Sequence, residues 1–108
     1  MGDLELTEII KAGVFHLENW LTLNGYKNIE VSIWQSGSAD IKADGQTENI
    51  LVQLKAMQLP GKRVEPNGTD KFALKDLAER HNRIPYIAYL SIDEDKNITE
   101  EIIWERLY

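Results

Sequence analysis

The chain has 108 residues, a net charge of −6 at pH 7 and no cysteine. That length corresponds to one domain, and the missing cysteine excludes disulfides and thiolate metal sites. A hydrophobic content of 43% fills a core, while the acidic total argues against a non-specific nucleic-acid coat and no apolar run is long enough for a membrane helix.

Residues 4–23 place Leu6, Ile9, Ile10, Gly13, Val14, Leu17, Trp20 and Leu21 at three- and four-residue steps, the period of an amphipathic helix. Gly13 lowers helix propensity there and marks close packing. Asn24-Gly25 is the stop signal, because glycine accepts the left-handed conformation that ends helices. Ile29, Val31 and Ile33 then alternate with Glu30 and Ser32 as a strand running to Trp34. Ser36-Gly37-Ser38 reads as a turn, residues 39–43 as a short strand, and Asp44-Gly45 as the next hairpin turn.

Residues 49–56 carry Ile50-Leu51-Val52 and Leu54, apolar enough to be buried on both faces. Pro60-Gly61, Pro66 and Asn67-Gly68 make residues 58–68 a loop. Phe72, Leu74, Leu77 and Ala78 restore helical spacing over 70–81, with Thr69 or Asp70 as its cap. Ile84-Pro85 breaks that helix before a strand through Ile92. After the polar turn 93–97, residues 98–108 read as a last helix, with Thr99 as cap and Glu100 and Glu101 in its first turn. The expected fold is therefore α/β, or α+β with a mixed sheet: a helix, a three-strand meander, a helix, a strand and a helix. The strand-helix-strand step makes the third and fourth strands parallel.

Charge is uneven along the chain. Residues 1–54 balance to −5, residues 55–83 to +3 and residues 84–108 to −4. The basic middle reads either as a phosphate-facing patch or as a solvated loop and helix. Across the expected hairpin, Asp40 at the end of one strand faces Gln53-Leu54-Lys55 on the next. Alternation points Gln53 and Lys55 to one side and Leu54 into the core.

With Asn24-Gly25-Tyr26, Ser36-Gly37-Ser38-Ala39-Asp40-Ile41 and Val52-Gln53-Leu54-Lys55, the chain resembles the restriction-endonuclease-like PD-(D/E)xK nucleases over residues 4–92. Within them it is similar to archaeal Holliday-junction resolvases and Mrr-type enzymes. The resemblance implies a metal-dependent nuclease acting on DNA with Mg²⁺ or Mn²⁺. Asp40 is then the metal carboxylate, Gln53 stands at the second-ligand position as in the Mrr branch, and Lys55 positions or activates water. The Leu54 backbone carbonyl completes the ligand set, and Lys62, Arg63, Lys71, Lys75, Ser36 and Ser38 contact the DNA. Mg²⁺ takes oxygen ligands, usually one or two carboxylates with waters and substrate phosphate, and a lysine adds a point charge near the phosphate.

The chain also departs from the pattern. The family's helix glutamate corresponds to Val14, and Glu18, one turn on, is the substitute acid. Two other readings stand beside the nuclease: a nuclease-like fold that no longer cuts and serves as an interaction module, and an acidic mimic of nucleic acid.

His16 and His81, on different helices, do not make a zinc site, and Ser36 and Ser38 lack a His-Asp partner. Trp20, Trp34, Trp104, Tyr86, Tyr89 and Tyr108 read as core, interface or base-stacking residues. The expected last helix is apolar on more than one face, which points to a homodimer or a partner protein docking there. The acidic start Met1-Gly2-Asp3-Leu4-Glu5 lacks the pattern of a signal peptide, so the expected location is cytoplasmic.

Overall fold

In the computed structural model, residues 4–34, 38–59 and 68–107 are described. Helix α1 (Leu6–Leu23) starts after Glu5, whose backbone N–H donates to the Glu8 carboxylate at 3.0 Å. That bond satisfies one of the donors a helix N-terminus leaves open. The helix stops as its sequence requires. Gly25 takes φ +85, its N–H donates to the Thr22 carbonyl, and the Tyr26 N–H donates to the Leu21 carbonyl. This is the Schellman closure that glycine permits.

Strands β1 (Lys27–Trp34), β2 (Ser38–Asp44) and β3 (Asn49–Gln58) form the expected antiparallel meander. Helix α2 (Gly68–Arg80) then carries the chain to β4 (Ile84–Ile92), which pairs parallel to β3. The helix begins at Gly68, two residues before the expected start. The side chains of its candidate caps, Thr69 and Asp70, lie outside the described residues.

The expected last helix is not formed. Residues 98–107 return antiparallel along β4, through an Ile92–Ile98 bridge and strand β5 (Ile103–Arg106). Asp93 directs the reversal: its Oδ1 accepts the Asp95 and Asn97 N–H groups at 2.8 and 3.0 Å. This is the local turn chemistry of aspartate. Ile98, Ile102, Ile103 and Trp104 are strand formers, and the outer edge of β4 offers unpaired backbone groups to meet. The apolar residues that read as two faces of a helix are the two faces of a strand. Ile102 and Trp104 pack on one core cluster and Leu107 on the other. A docking surface on a C-terminal helix is therefore withdrawn.

The result is a five-stranded mixed sheet, ordered β1-β2-β3-β4-β5. Helix α1 covers one face, where Ile10, Leu17 and Leu21 pack with Ile41, Val52, Leu54 and Leu90. On the other face, Leu74 and Ala78 of α2 pack with Leu51, Ile87 and Tyr89. Among the described residues no helix is long and apolar enough to cross a membrane.

Gly13 sits where α1 comes nearest the sheet. A Cβ there would stand 2.9 Å from the Ala56 Cβ and 3.2 Å from Leu54 Cδ2. At the far end of the β2–β3 hairpin, Arg83 donates to the Ala43 and Ile50 carbonyls and pairs with Asp44 at 2.9 Å. Hydrogen bonds from Asn28 and then Arg83 hold the Asp44 carboxyl below its ordinary value, against the opposing effect of desolvation.

Gly13→Ala should lower stability. The helix gains about 1 kcal/mol in propensity, but overpacking against the Ala56 Cβ, which has no rotamer to move to, costs about 1–3 kcal/mol. Thermal melting is expected to show a midpoint lower by about 5 °C. A depressed carboxylate stabilises the fold above its unfolded value, and that contribution disappears as pH falls below about 4. Melting curves from pH 7 down to pH 2 should therefore show a shallower acid decline for Asp44→Asn than for the unaltered chain.

Candidate functional site

The pairing of β2 with β3 sets the geometry. Asp40 is the direct cross-strand partner of Gln53, and Ser38 is the partner of Lys55. Directly opposed residues hold their Cβ atoms about 5 Å apart, and diagonal neighbours about 7–8 Å, so Asp40, Gln53 and Lys55 form one group. All three side chains are half-buried. Asp40 is the third residue of β2, near its start rather than at its end.

Alternation decides which face carries the group. Ala39, Ile41, Val52 and Leu54 are buried in the α1 core, so Asp40, Gln53 and Lys55 emerge on the opposite face. There they continue the row that begins with Leu51, under α2. Glu18 belongs to α1, on the far side of the sheet, with the buried layer of Ala39, Ile41 and Leu54 between it and Asp40. Val14 is itself part of that core. The structure thus brings together Asp40, Gln53 and Lys55 and leaves Glu18 apart.

Leu54 lies where β3 is paired on both sides, opposite Ala39 of β2 and Ala88 of β4. Its carbonyl therefore lies in the plane of the sheet, along the hydrogen-bonding direction, and not with the side chains.

The expected DNA-contacting residues divide. Lys71 forms an ion pair with Glu105 of β5 at 2.9 Å, and the Tyr89 hydroxyl donates to the other carboxylate oxygen at 3.1 Å. The Lys71 hydrogen bond comes first among the effects holding the Glu105 carboxyl below its usual value. Lys71 therefore ties α2 to β5. Lys75 is exposed on α2, beside Glu79, Asn82 and Arg83. Ser36, Lys62 and Arg63 lie outside the described residues, as does the side chain of Ser38.

Lys42 is the residue that motif reading passes over. It lies two positions beyond Asp40 on β2, opposite Leu51, and so projects from the face of Asp40. Strand alternation alone was the signal for it. Among the described residues neither Lys42 nor Lys55 is within ion-pair distance of an acid.

The donor set can be tested against a divalent cation. Among the described residues Gln53 Oε1 is buried and accepts no hydrogen bond. A buried carbonyl oxygen without a donor is costly, and a hard cation beside Asp40 would supply what that oxygen lacks. Among the described residues no three His, Asp or Glu side chains gather as a metal cluster. The fit thus rests on one carboxylate, one amide oxygen and water. No family model matches the chain, and no curated protein matches it in sequence.

Gln53→Met should raise thermal stability by about 1 kcal/mol in metal-free buffer, by removing the unpaired oxygen. The same variant should lose any rise in melting temperature that Mg²⁺ or Mn²⁺ gives the unaltered chain.

Proposed function

We propose that this protein hydrolyses DNA phosphodiester bonds with a divalent metal, on a restriction-endonuclease-like core. The observation that carries the reading is the direct pairing of Asp40 with Gln53, whose buried Oε1 accepts no hydrogen bond among the described residues, next to Lys55 on the same face. The order of helix, antiparallel meander, helix and parallel strand supports it.

In this reading Asp40 and Gln53 Oε1 hold Mg²⁺ or Mn²⁺, whose chemistry is to offset charge on phosphate oxygens and acidify water. Asp40 fixes the position of the charge, and Gln53 adds a neutral oxygen that leaves the site less anionic. Lys55 places an ammonium beside the phosphate and orients the attacking water. Lys42 lies on the same face, flanked on β2 by Asp40 and Asp44 and opposite Glu30 of β1, and tempers the charge of these acids beside the phosphate. Lys75, Lys62 and Arg63 belong to the same proposal as phosphate contacts, with Ser36 and Ser38. Lys71 is drawn away toward Glu105.

One observation favours the alternative, a nuclease-like fold that binds without cutting. Among the described residues no three His, Asp or Glu side chains gather there: Glu18 stands across the sheet, and Glu30, opposite Lys42 on β1, is a diagonal neighbour of Asp40.

Incubation of duplex, single-stranded and branched DNA with Mg²⁺ or Mn²⁺ separates the two readings. Cleavage is expected, with Asp40→Ala and Lys55→Ala each reducing it by about a hundredfold or more. An unaltered chain that cleaves none of these substrates, and whose melting point does not respond to either metal, would move the function to the binding module.

A further inference from the structure

On the α1 face of the sheet, remote from the Asp40 group, five elements converge on a second site. Trp20 comes from α1, Tyr26 from the segment after its stop, Glu48 from the β2–β3 turn, Tyr86 from β4 and Trp104 from β5. With Ile50 they line a cavity of about 140 Å³. Trp104 is the corner of this arrangement. Its ring lies 4.9 Å from that of Trp20, tilted by 45°, and 5.8 Å from that of Tyr86, nearly perpendicular at 86°. The cavity has roughly the liquid volume of four or five waters, which suits a compact head group.

The walls are aromatic and the single charged group among them is a carboxylate. Glu48 is half-buried, and Oε1 accepts the Tyr86 hydroxyl at 2.9 Å. Among the described residues no lysine or arginine forms an ion pair with it. Its charge is felt by both phenols. Burial first, and then Glu48, push the Tyr26 hydroxyl above its ordinary value, and the same two causes raise Tyr86. Arg106, opposite Tyr86 on β5, acts on that phenol in the other sense but does not line the cavity.

A half-enclosed space lined by four aromatic residues and one acid, with no lysine or arginine among the described lining residues, is complementary to an organic cation. Ring faces attract positive charge within about 6 Å of their centroids, and the carboxylate adds a longer-range attraction. A primary ammonium is strongly hydrated and carries three donors, whereas a methylated ammonium has little hydration to lose and fits apolar walls. We propose that this cavity binds a methylated, quaternary ammonium head group, held by Trp20, Trp104, Tyr86 and Tyr26 and neutralised by Glu48. The site is independent of the metal reading, since it lies on the other face and shares no residue with it.

Titration of the full chain at constant ionic strength tests this, read by tryptophan fluorescence and by the indole N–H signals of Trp20 and Trp104. The probes are choline, its neutral isostere 3,3-dimethylbutan-1-ol, tetramethylammonium and n-butylammonium. Choline should bind at least about tenfold more tightly than the neutral isostere, and tetramethylammonium more tightly than n-butylammonium. Glu48→Gln, which keeps an acceptor for Tyr86, should weaken choline about tenfold while its melting point stays within a few degrees of the original. Equal binding of choline and its isostere, stronger binding of n-butylammonium, or no response to any probe would overturn the proposal. The probe comparison on the unaltered chain decides it even if the variant fails to fold.

Discussion

Burial of β3 on both faces is the constraint from which the rest of the architecture follows. Val52 and Leu54 face the α1 core while Leu51, between Ile50 and Val52, faces the α2 core. A strand with no solvent side needs a helix over each face and a partner at each edge. Both requirements are met within one short chain. Strand β2 closes one edge through a tight turn, and β4 closes the other through the α2 crossover, which has to run parallel. The polar residues of β3, Gln53 and Lys55, lie on the face that α2 packs against, between β2 and the Ile87 and Tyr89 positions of β4.

The same constraint separates two chemistries. The α2 face carries a row of small charge and amide groups, Asp40, Lys42, Gln53 and Lys55. The α1 face, toward β5, carries aromatic rings around one acid. In each place the fold keeps a polar atom at a cost. Among the described residues Gln53 Oε1 is buried without a donor, and half-buried Glu48 forms no ion pair with a lysine or arginine. Both costs are understandable where a charged ligand completes the arrangement, a metal in the first case and an organic cation in the second.

Arg83 and Asp44, with Asn28, brace the opposite end of the sheet from Lys55. Lys71, Glu105 and Tyr89 hold α2 against β5. These pairs join elements distant in sequence and restrain the edges of the sheet while the two cores fix its centre. Lys71 illustrates how a basic residue in a basic segment can be structural. Its charge is directed to a strand that the linear text presents as a helix.

Local rules carry far in this sequence. Three- and four-residue apolar spacing and Asn24-Gly25 define α1, period-two alternation and Asp44-Gly45 define the meander, and the length of the apolar run 50–54 announces a strand buried on both faces. Strand alternation also brings Asp40, Gln53 and Lys55 to one side, because a side chain's face is a property of its own strand. What local rules do not contain is the neighbour. Residues 98–107 satisfy helix signals, with a capping threonine and early acids, yet the open edge of β4 recruits them as β5, since backbone pairing there outweighs weak propensity. Glu18 reads as a stand-in for a missing acid until the sheet is seen to lie between it and Asp40. The aromatic cavity draws on Trp20, Tyr26, Glu48, Tyr86 and Trp104, five residues spread over most of the chain. The sequence by itself determined the elements and the faces of the strands. The tertiary structure alone decided which faces meet, because that choice is made by edges, cores and unpaired charges that come together only when the sheet closes.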